Sequence, residues 1–105
     1  MRSTSAILLF TTLLAPFVAA DLHNAGICVD YKGGVAVYNE AATKAACGNY
    51  KARNTGNKQW DQCPDCEMKV TGNLNVCSSP AWHIGGDELN HYCEKVNGAG
   101  GSLAN

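Results

Sequence analysis

Positive charge, long apolar stretches and bulky core residues are all scarce in this chain of 105 residues. Beyond residue 20, seven lysines and arginines face nine aspartates and glutamates, a net charge near −2. Because nucleic-acid binding needs a basic surface, we do not expect nucleic acid to be the main ligand. No stretch beyond residue 20 approaches the ~20 apolar residues of a membrane-spanning helix. The acceptor motif for N-glycosylation, Asn-x-Ser/Thr, is also missing.

The first twenty residues have the three parts of a secretory signal peptide. Arg2 gives a positively charged start, and residues 6–20 are apolar apart from two threonines and a proline. Val18 and Ala20 are the small residues that signal peptidase prefers just before its cut. The apolar part spans about 15 residues, which is short for a membrane-spanning helix. We therefore expect residues 1–20 to be removed and the protein to be secreted, without a membrane span, as a chain that begins at Asp21.

Residues 21–105 are enough for one small domain, whose limited core needs extra stabilisation. An even number of cysteines in a short secreted chain predicts a disulfide framework, and each disulfide typically contributes about 2–4 kcal/mol. The six cysteines are Cys28, Cys47, Cys63, Cys66, Cys77 and Cys93. The sequence predicts three disulfides and leaves their pairing open, except that a bond between the near neighbours Cys63 and Cys66 is not expected.

Two β-hairpins are predicted from strand-like segments that flank turn residues. In the first, Gly26–Lys32 and Val35–Tyr38 flank Gly33-Gly34, a pair typical of tight hairpin turns. The second consists of Glu67–Thr71 and Leu74–Cys77, joined by Gly72-Asn73. Residues 81–84 are predicted to form one more short strand.

Two helices are predicted from cap residues and from apolar spacing. Asn39 would cap a helix over Glu40–Arg53, and Asp87 would cap a second helix that ends at Asn97-Gly98. The inward faces would be Ala42, Ala46, Cys47 and Tyr50 in the first helix, and Leu89, Tyr92, Cys93 and Val96 in the second. The predicted fold class is α+β, with two short helices on one face of a small antiparallel sheet. The domain would span residues 21–98, followed by a flexible tail over 99–105.

Several cysteines could in principle carry redox or metal chemistry. Cys63 and Cys66 form a Cys-x-x-Cys pair, but in redox proteins such a pair lies between a strand and a helix, whereas here it follows a loop and precedes a hairpin. A zinc site is a second possibility, although its spacing matches no common zinc module. Its ligands would be Cys63, Cys66, Cys77 and Cys93, with His83 or His91. Since secreted cysteines are normally oxidised, we interpret all six as structural and expect no metal and no cofactor.

Small secreted ribonucleases combine a histidine, a glutamate and an arginine, and His83, Glu88 and Arg53 offer those residue types. Their spacing is not diagnostic, so no catalytic residue is assigned. His91 would lie opposite the apolar side of its helix, as an ordinary surface residue. Trp60 and Trp82 could be core residues or could contact a ligand, because an indole ring packs well in both settings. Together with His83 they are the candidate partner-binding residues.

Four segments of the chain resemble small secreted cysteine-rich proteins of filamentous ascomycete fungi. They are Arg53–Gly56 (RNTG), Gln59–Cys66 (QWDQCPDC), His83–Glu88 (HIGGDE) and Tyr92-Cys93, followed by a glycine-rich end with Ser-Leu-Ala. The resemblance extends over most of residues 21–105. It implies an effector candidate that acts on a plant or another host, without an assigned biochemical activity. Some such proteins have α/β folds similar to fungal killer toxins.

The sequence therefore favours a secreted, disulfide-stabilised, effector-like protein involved in virulence. It would act as a monomer by binding a host or microbial partner, either a protein or a glycan, and not by catalysis. An antimicrobial or killer-type toxin is the alternative, although the lack of strong positive charge counts against attack on membranes. A small ribonuclease or a thiol oxidoreductase is a further alternative.

Overall fold

A computed structural model describes residues 21–105, and the predicted signal peptide lies outside the described residues. In chain order the elements are β1 (Leu22–His23), β2 (Ala25–Lys32), β3 (Val35–Tyr38), α1 (Glu40–Lys51), β4 (Glu67–Thr71), β5 (Leu74–Ser78), β6 (Ile84–Gly85), α2 (Gly86–Asn90) and β7 (Gly101–Ala104). A 3-10 turn at Gln59–Asp61 precedes β4, and a π-helical segment at His91–Val96 continues α2.

Both predicted hairpins are present. β2 and β3 pair antiparallel around Gly33 and Gly34, whose φ angles are 59° and 80°. β4 and β5 pair antiparallel around a turn in which Gly72 has a φ of 66°. Glycine suits these three positions because it has no Cβ to clash in the left-handed region. The local turn signals therefore determine two of the strand pairings.

β2 is the central strand of the main sheet. It pairs with β3, β5 and β7, while β4 pairs with β5. Gly26 pairs with both β5 and β7, and Val29 pairs with both β3 and β7. Since a residue has one neighbour on each side, β7 lies along one edge of β2, and β3 and β5 lie along the other. β1 and β6 form a separate two-stranded sheet.

The predicted flexible tail over residues 99–105 is wrong, because this segment contains β7. Gly101–Ala104 pairs antiparallel with β2, and the Gly100 N–H donates to the Val29 oxygen at 2.8 Å. The Asn105 N–H donates to the Ala25 oxygen at 3.2 Å. The tail is rich in small residues that suggest disorder, but it meets an edge of β2 whose backbone groups need partners.

α1 begins as predicted and ends two residues earlier, at Lys51 rather than Arg53. The Asn39 side-chain oxygen accepts from the Ala42 N–H at 2.9 Å, which satisfies one of the free donors at the helix start. All four residues predicted to face inward are buried. They are Ala42, Ala46, Cys47 and Tyr50.

The second helix differs from the prediction at its start and in its second half. Its N-cap is Gly85, so Asp87 lies in the first turn, where the helix dipole stabilises a carboxylate. From His91 onward the backbone is π-helical, and this wider winding changes which residues face the core. Leu89 and Cys93 are buried as predicted, whereas Val96 is half exposed.

The strand predicted over residues 81–84 is also wrong in its extent. Only Ile84 of that segment is in β6, opposite His23 of β1. Trp82 instead lies in a turn, closed by its N–H donating to the Ser79 oxygen at 2.8 Å. This turn takes Trp82 out of any strand pairing.

The core is built largely from disulfides. Cys28 bonds to Cys93 and Cys47 bonds to Cys77, which join β2 to the second helix and α1 to β5. Cys77 is paired with Gly26, two residues before Cys28 in β2, so both disulfides leave from the same face of the sheet. Both helices therefore cover one face, and the α+β fold predicted from the sequence is confirmed.

The third disulfide corrects a prediction, because Cys63 bonds to Cys66. The Cys66 N–H donates to the Cys63 oxygen at 3.0 Å, and this tight turn brings the two Cα atoms to 5.3 Å. That separation is within the usual range for a disulfide, so a two-residue spacer is sufficient here. No free cysteine remains among residues 21–105.

Candidate functional site

The three candidate partner-binding residues lie on two adjacent segments. Trp60 is in the 3-10 turn, and Trp82 and His83 are in the loop after β5. Gln59 joins the segments: its Nε2 donates to the Trp82 backbone oxygen at 3.3 Å and to the preceding oxygen at 2.9 Å. The Gln59 backbone oxygen lies 2.8 Å from His83 Nδ1. We call Trp60, Trp82 and His83 the tryptophan corner.

Trp82 is the most unusual residue of this corner. Its relative exposure is 48%, and its φ of 61° is the only positive φ of a non-glycine residue among those described. A bulky residue in this region is strained, at a cost of about 1–2 kcal/mol. The surrounding hydrogen bonds must therefore hold the backbone in place against that strain.

Asp65 is the main anchor of the loop that carries Trp82. Its carboxylate accepts from Ser79 Oγ at 2.7 Å and from the Ala81 N–H at 2.8 Å. Ser79 Oγ in turn accepts from the His83 N–H at 3.0 Å. Partial burial favours the neutral acid, but the hydrogen bonds outweigh it and lower the pKa of Asp65. The charged carboxylate thus stabilises the turn on both sides of Trp82.

We expect Asp65→Asn to destabilise the protein by about 1–3 kcal/mol, because an amide replaces one of the two acceptor oxygens with a donor. The contribution of Asp65 is present above the ordinary carboxyl pKa of 3.8 and is lost as the pH falls further. Thermal unfolding across acidic pH would measure both effects. Glu67→Gln, at an exposed carboxylate in β4, is the matched control. Equal stability of the two variants at neutral pH would contradict this role of Asp65.

Tyr50 lies beneath the corner and is fully buried. Its hydroxyl oxygen is 2.8 Å from the Trp60 backbone oxygen and 3.1 Å from the His83 backbone oxygen, and it accepts from the Gly85 N–H at 3.1 Å. Burial raises the pKa of Tyr50 to about 12. One hydroxyl therefore connects α1 to both segments of the tryptophan corner and to Gly85 of β6.

A cleft of about 480 Å³ borders Trp60 but is not lined by Trp82 or His83. It is lined by Asp21, His23, Trp60 and residues 85–88, and we call it the acidic cleft because three of these side chains are carboxylates. The sequence singled out Trp60 and Glu88 for other reasons but did not predict this cleft. The Gly-Gly-Asp-Glu run of residues 85–88 was a signal for its rim, but only the pairing of β1 with β6 brings His23 beside it.

The ribonuclease-like set does not assemble into a recognisable centre. The Arg53 guanidinium lies over the rings of Tyr50 and Tyr92, at 5.9 and 5.7 Å from their centroids, and its Nη1 donates to the Tyr92 hydroxyl at 3.2 Å. Across residues 21–105, no hydrogen bond or ion pair joins Arg53, His83 and Glu88. Arg53 instead supports the packing of α1 against the second helix.

The cysteines proposed for redox or zinc chemistry are bonded and buried. Cys63 and Cys66 have relative exposures of 0% and 1%, so an attacking thiolate cannot reach their disulfide. The sulfur atoms of Cys47, Cys66 and Cys77 lie within 4.8 Å of one another, but each is already in a disulfide and is not available as a thiolate ligand. His91 is exposed, as expected for a surface residue.

Comparison with known proteins gives one family. A family model described as Biotrophy-associated secreted protein 4 matches residues 21–102, the greater part of the chain. No curated protein matches the chain, and no solved structure does. Among residues 21–105, no helix has the length and apolarity needed to cross a membrane.

Proposed function

The chain belongs to the Biotrophy-associated secreted protein 4 family, and on that premise we propose that it acts by binding a host or extracellular partner, without catalysis. Membership confirms two predictions made from the sequence, namely secretion and the resemblance to fungal effector candidates. The protein is thus a secreted, biotrophy-associated, effector-like protein. The proposed function adds a direct contact with a partner to this description.

The conformation of Trp82 is the main support for a contact with a partner. About half of this indole is left in solvent although its backbone is strained, so its position is better explained by a contact outside the monomer than by packing alone. Tryptophan is enriched among the few residues that dominate binding energy at interfaces. The hydrogen bonds from Gln59 and to Asp65 hold this loop before a partner arrives, which reduces the entropy lost on binding.

The surroundings of the corner also favour binding over catalysis. His83 Nδ1 is occupied by a backbone oxygen, and Arg53 is engaged with two tyrosine rings. A nucleophile with an adjacent base, the usual arrangement for covalent catalysis, is not apparent in the contacts of the corner. A rigid apolar side chain beside polar groups is the arrangement of an interface anchor.

We expect Trp82→Asn to weaken partner binding by about 30-fold or more, which corresponds to about 2 kcal/mol. Asparagine tolerates the left-handed region, so the relief of backbone strain, about 1–2 kcal/mol, should offset the loss of the buried half of the indole and leave stability within about 1 kcal/mol of the wild type. The measurement compares saturable binding of labelled wild type and variant to host extracellular fluid and cell-wall fractions, with thermal unfolding of both. Loss of binding without loss of stability separates a contact residue from a packing residue.

Val70→Asn is the matched control, because Val70 has a relative exposure of 68% but lies on β4, away from the corner. We expect it to bind as the wild type does. Undiminished binding of the Trp82 variant would overturn the proposed contact. Growth inhibition of competing microbes that survives the Trp82 substitution would instead support the toxin alternative.

A further inference from the structure

The lining of the acidic cleft is predominantly negative, although Glu88 also interacts with the charge of Arg53, which is not part of the lining. Asp21, Asp87 and Glu88 contribute three carboxylates, and no lysine or arginine is part of its lining. If the chain is cleaved at the predicted site, the α-amino group on Asp21 adds one positive charge, and the carboxylates still outnumber it. Concave, acidic surroundings concentrate cations and repel anions. The ligand that suits this cleft is therefore positively charged or neutral.

The shape of the cleft depends on Gly85, a residue without a side chain. A Cβ on Gly85 would lie 2.1 Å from Glu88 Oε1 and 3.0 Å from the Trp60 Cβ. A side chain here would thus push apart the wall that Trp60 and Glu88 form. The volume of about 480 Å³ lies within the range of small-molecule sites, which is roughly 300–1,000 Å³.

His23 adds a polar group of defined orientation. Its Nδ1 contacts the backbone oxygen of Asn105, which can only accept, so Nδ1 carries a proton. The other ring nitrogen, Nε2, lies beside Gly86 of the cleft, since a Cβ built on that glycine would be 3.7 Å from it. In the neutral ring Nε2 is an acceptor, so it matches a hydroxyl or amine donor on a ligand.

The polar atoms of the cleft are too widely spaced to converge on one metal ion. Within residues 21–105, a set of three possible ligand atoms within 4.8 Å of one another is found at Cys47, Cys66 and Cys77, not at the cleft. Acceptors that are spread over a concave surface need a ligand whose donors are spread in the same way. A sugar ring carries several separate hydroxyl donors and has an apolar face that can lie against an indole such as that of Trp60.

We propose that the acidic cleft binds an oligosaccharide that carries protonated amines. The carboxylates of Asp87 and Glu88 accept from its hydroxyl and ammonium groups, His23 Nε2 accepts a further hydrogen bond, and Trp60 contacts the ring face. This ligand goes beyond the proposed partner contact of Trp82, because Trp82 does not line the cleft. A lysine side chain of a protein would supply one charge but not the spaced donors that these acceptors require.

The test uses the chain from Asp21 and the fact that the protein has two tryptophans, each with one indole N–H signal. Glucosamine oligomers are titrated into labelled protein at neutral pH, where part of their amines is protonated, and the two signals are followed by NMR. We expect a saturable shift of the Trp60 signal with little change at Trp82. Oligomers of galacturonic acid should cause no shift, and neutral N-acetylglucosamine oligomers should bind at least tenfold more weakly.

Asp87→Asn and Glu88→Gln should each weaken binding of glucosamine oligomers about tenfold, or about 1.4 kcal/mol. Glu67→Gln removes one negative charge on β4 and should leave binding unchanged, while the amide spectrum of each variant reports whether it is folded.

Equal binding of neutral and amine-bearing oligomers would overturn the role of charge. No shift of Trp60, unchanged affinity in both cleft variants, or binding of a lysine-rich peptide in place of the sugar would overturn the proposal. None of these outcomes would affect the Trp82 experiment.

Discussion

Replacing Cys28 and Cys93 together by alanine should cost about 4 kcal/mol, because this disulfide closes a loop of 65 residues in sequence separation and so restricts the unfolded chain most strongly. The loss is comparable with the whole stability of many small domains, which is about 5–15 kcal/mol. Both cysteines are fully buried in the core, so the lost sulfur contacts add to this cost. We expect the double variant to be largely unfolded at physiological temperature.

The matched comparison is the double alanine variant of Cys63 and Cys66, whose disulfide spans a separation of three. The same relation gives about 2 kcal/mol for so short a loop. Far-UV circular dichroism with chemical denaturation would measure the free energy of unfolding of both variants. Each variant replaces both cysteines of its pair, so neither leaves a free thiol. If the Cys63 and Cys66 variant were the less stable, the turn between β4 and the preceding loop, and not loop closure, would determine the stability of the fold.

The features predicted correctly from the sequence depend on residues close together in the chain. Gly33-Gly34 and Gly72 meet the backbone demands of their turns, and the Asn39 side chain caps α1 by accepting from an N–H three residues later. Each of these residues determines the backbone conformation of a single turn, so tertiary packing only has to be compatible with that local structure. The inward face of α1 follows in the same way from the helical period.

The features that were missed depend on contacts between distant residues. The segment over 101–104 becomes a strand because β2 offers a free edge some 75 positions earlier, which no local propensity reveals. Val96 leaves the core because the helix widens at His91, and local apolar spacing does not signal a π-helical segment. The pairing of Cys63 with Cys66 depends on a turn whose geometry a spacing rule does not capture.

The candidate site likewise has residues that the sequence predicts and a geometry that depends on contacts between distant residues. Trp60, Trp82 and His83 were selected for their chemical type, and the structure places them on adjacent segments. The positive φ of Trp82 could not be predicted, since tryptophan rarely adopts it and the hydrogen bonds that impose it come from Gln59 and Asp65. The acidic cleft depends on pairing between β1 and β6, so its composition is visible only in the fold.

We expect Tyr50→Phe to destabilise the protein by about 1–3 kcal/mol, although the ring and its packing remain. The lost hydroxyl leaves the Gly85 N–H and the Trp60 backbone oxygen without their partner in a buried place. Equilibrium denaturation gives the loss of stability, and hydrogen exchange at the Gly85 amide should quicken because its acceptor is gone. Tyr31→Phe is the control, because Tyr31 is 54% exposed and its change should stay within about 0.5 kcal/mol.

Alkaline pH gives a second and independent measure of the same hydroxyl. The pKa of Tyr50 rises from 10.0 to about 12 on folding, so between these values the unfolded chain releases a proton that the folded chain keeps. Stability from this group is complete below pH 10 and falls by about 1.4 kcal/mol for each pH unit towards 12. The difference in stability between wild type and Tyr50→Phe should therefore shrink as the pH rises through this window. A difference that stays constant would show that the hydroxyl is not held in the buried hydrogen bonds that connect α1 to the tryptophan corner and to the acidic cleft.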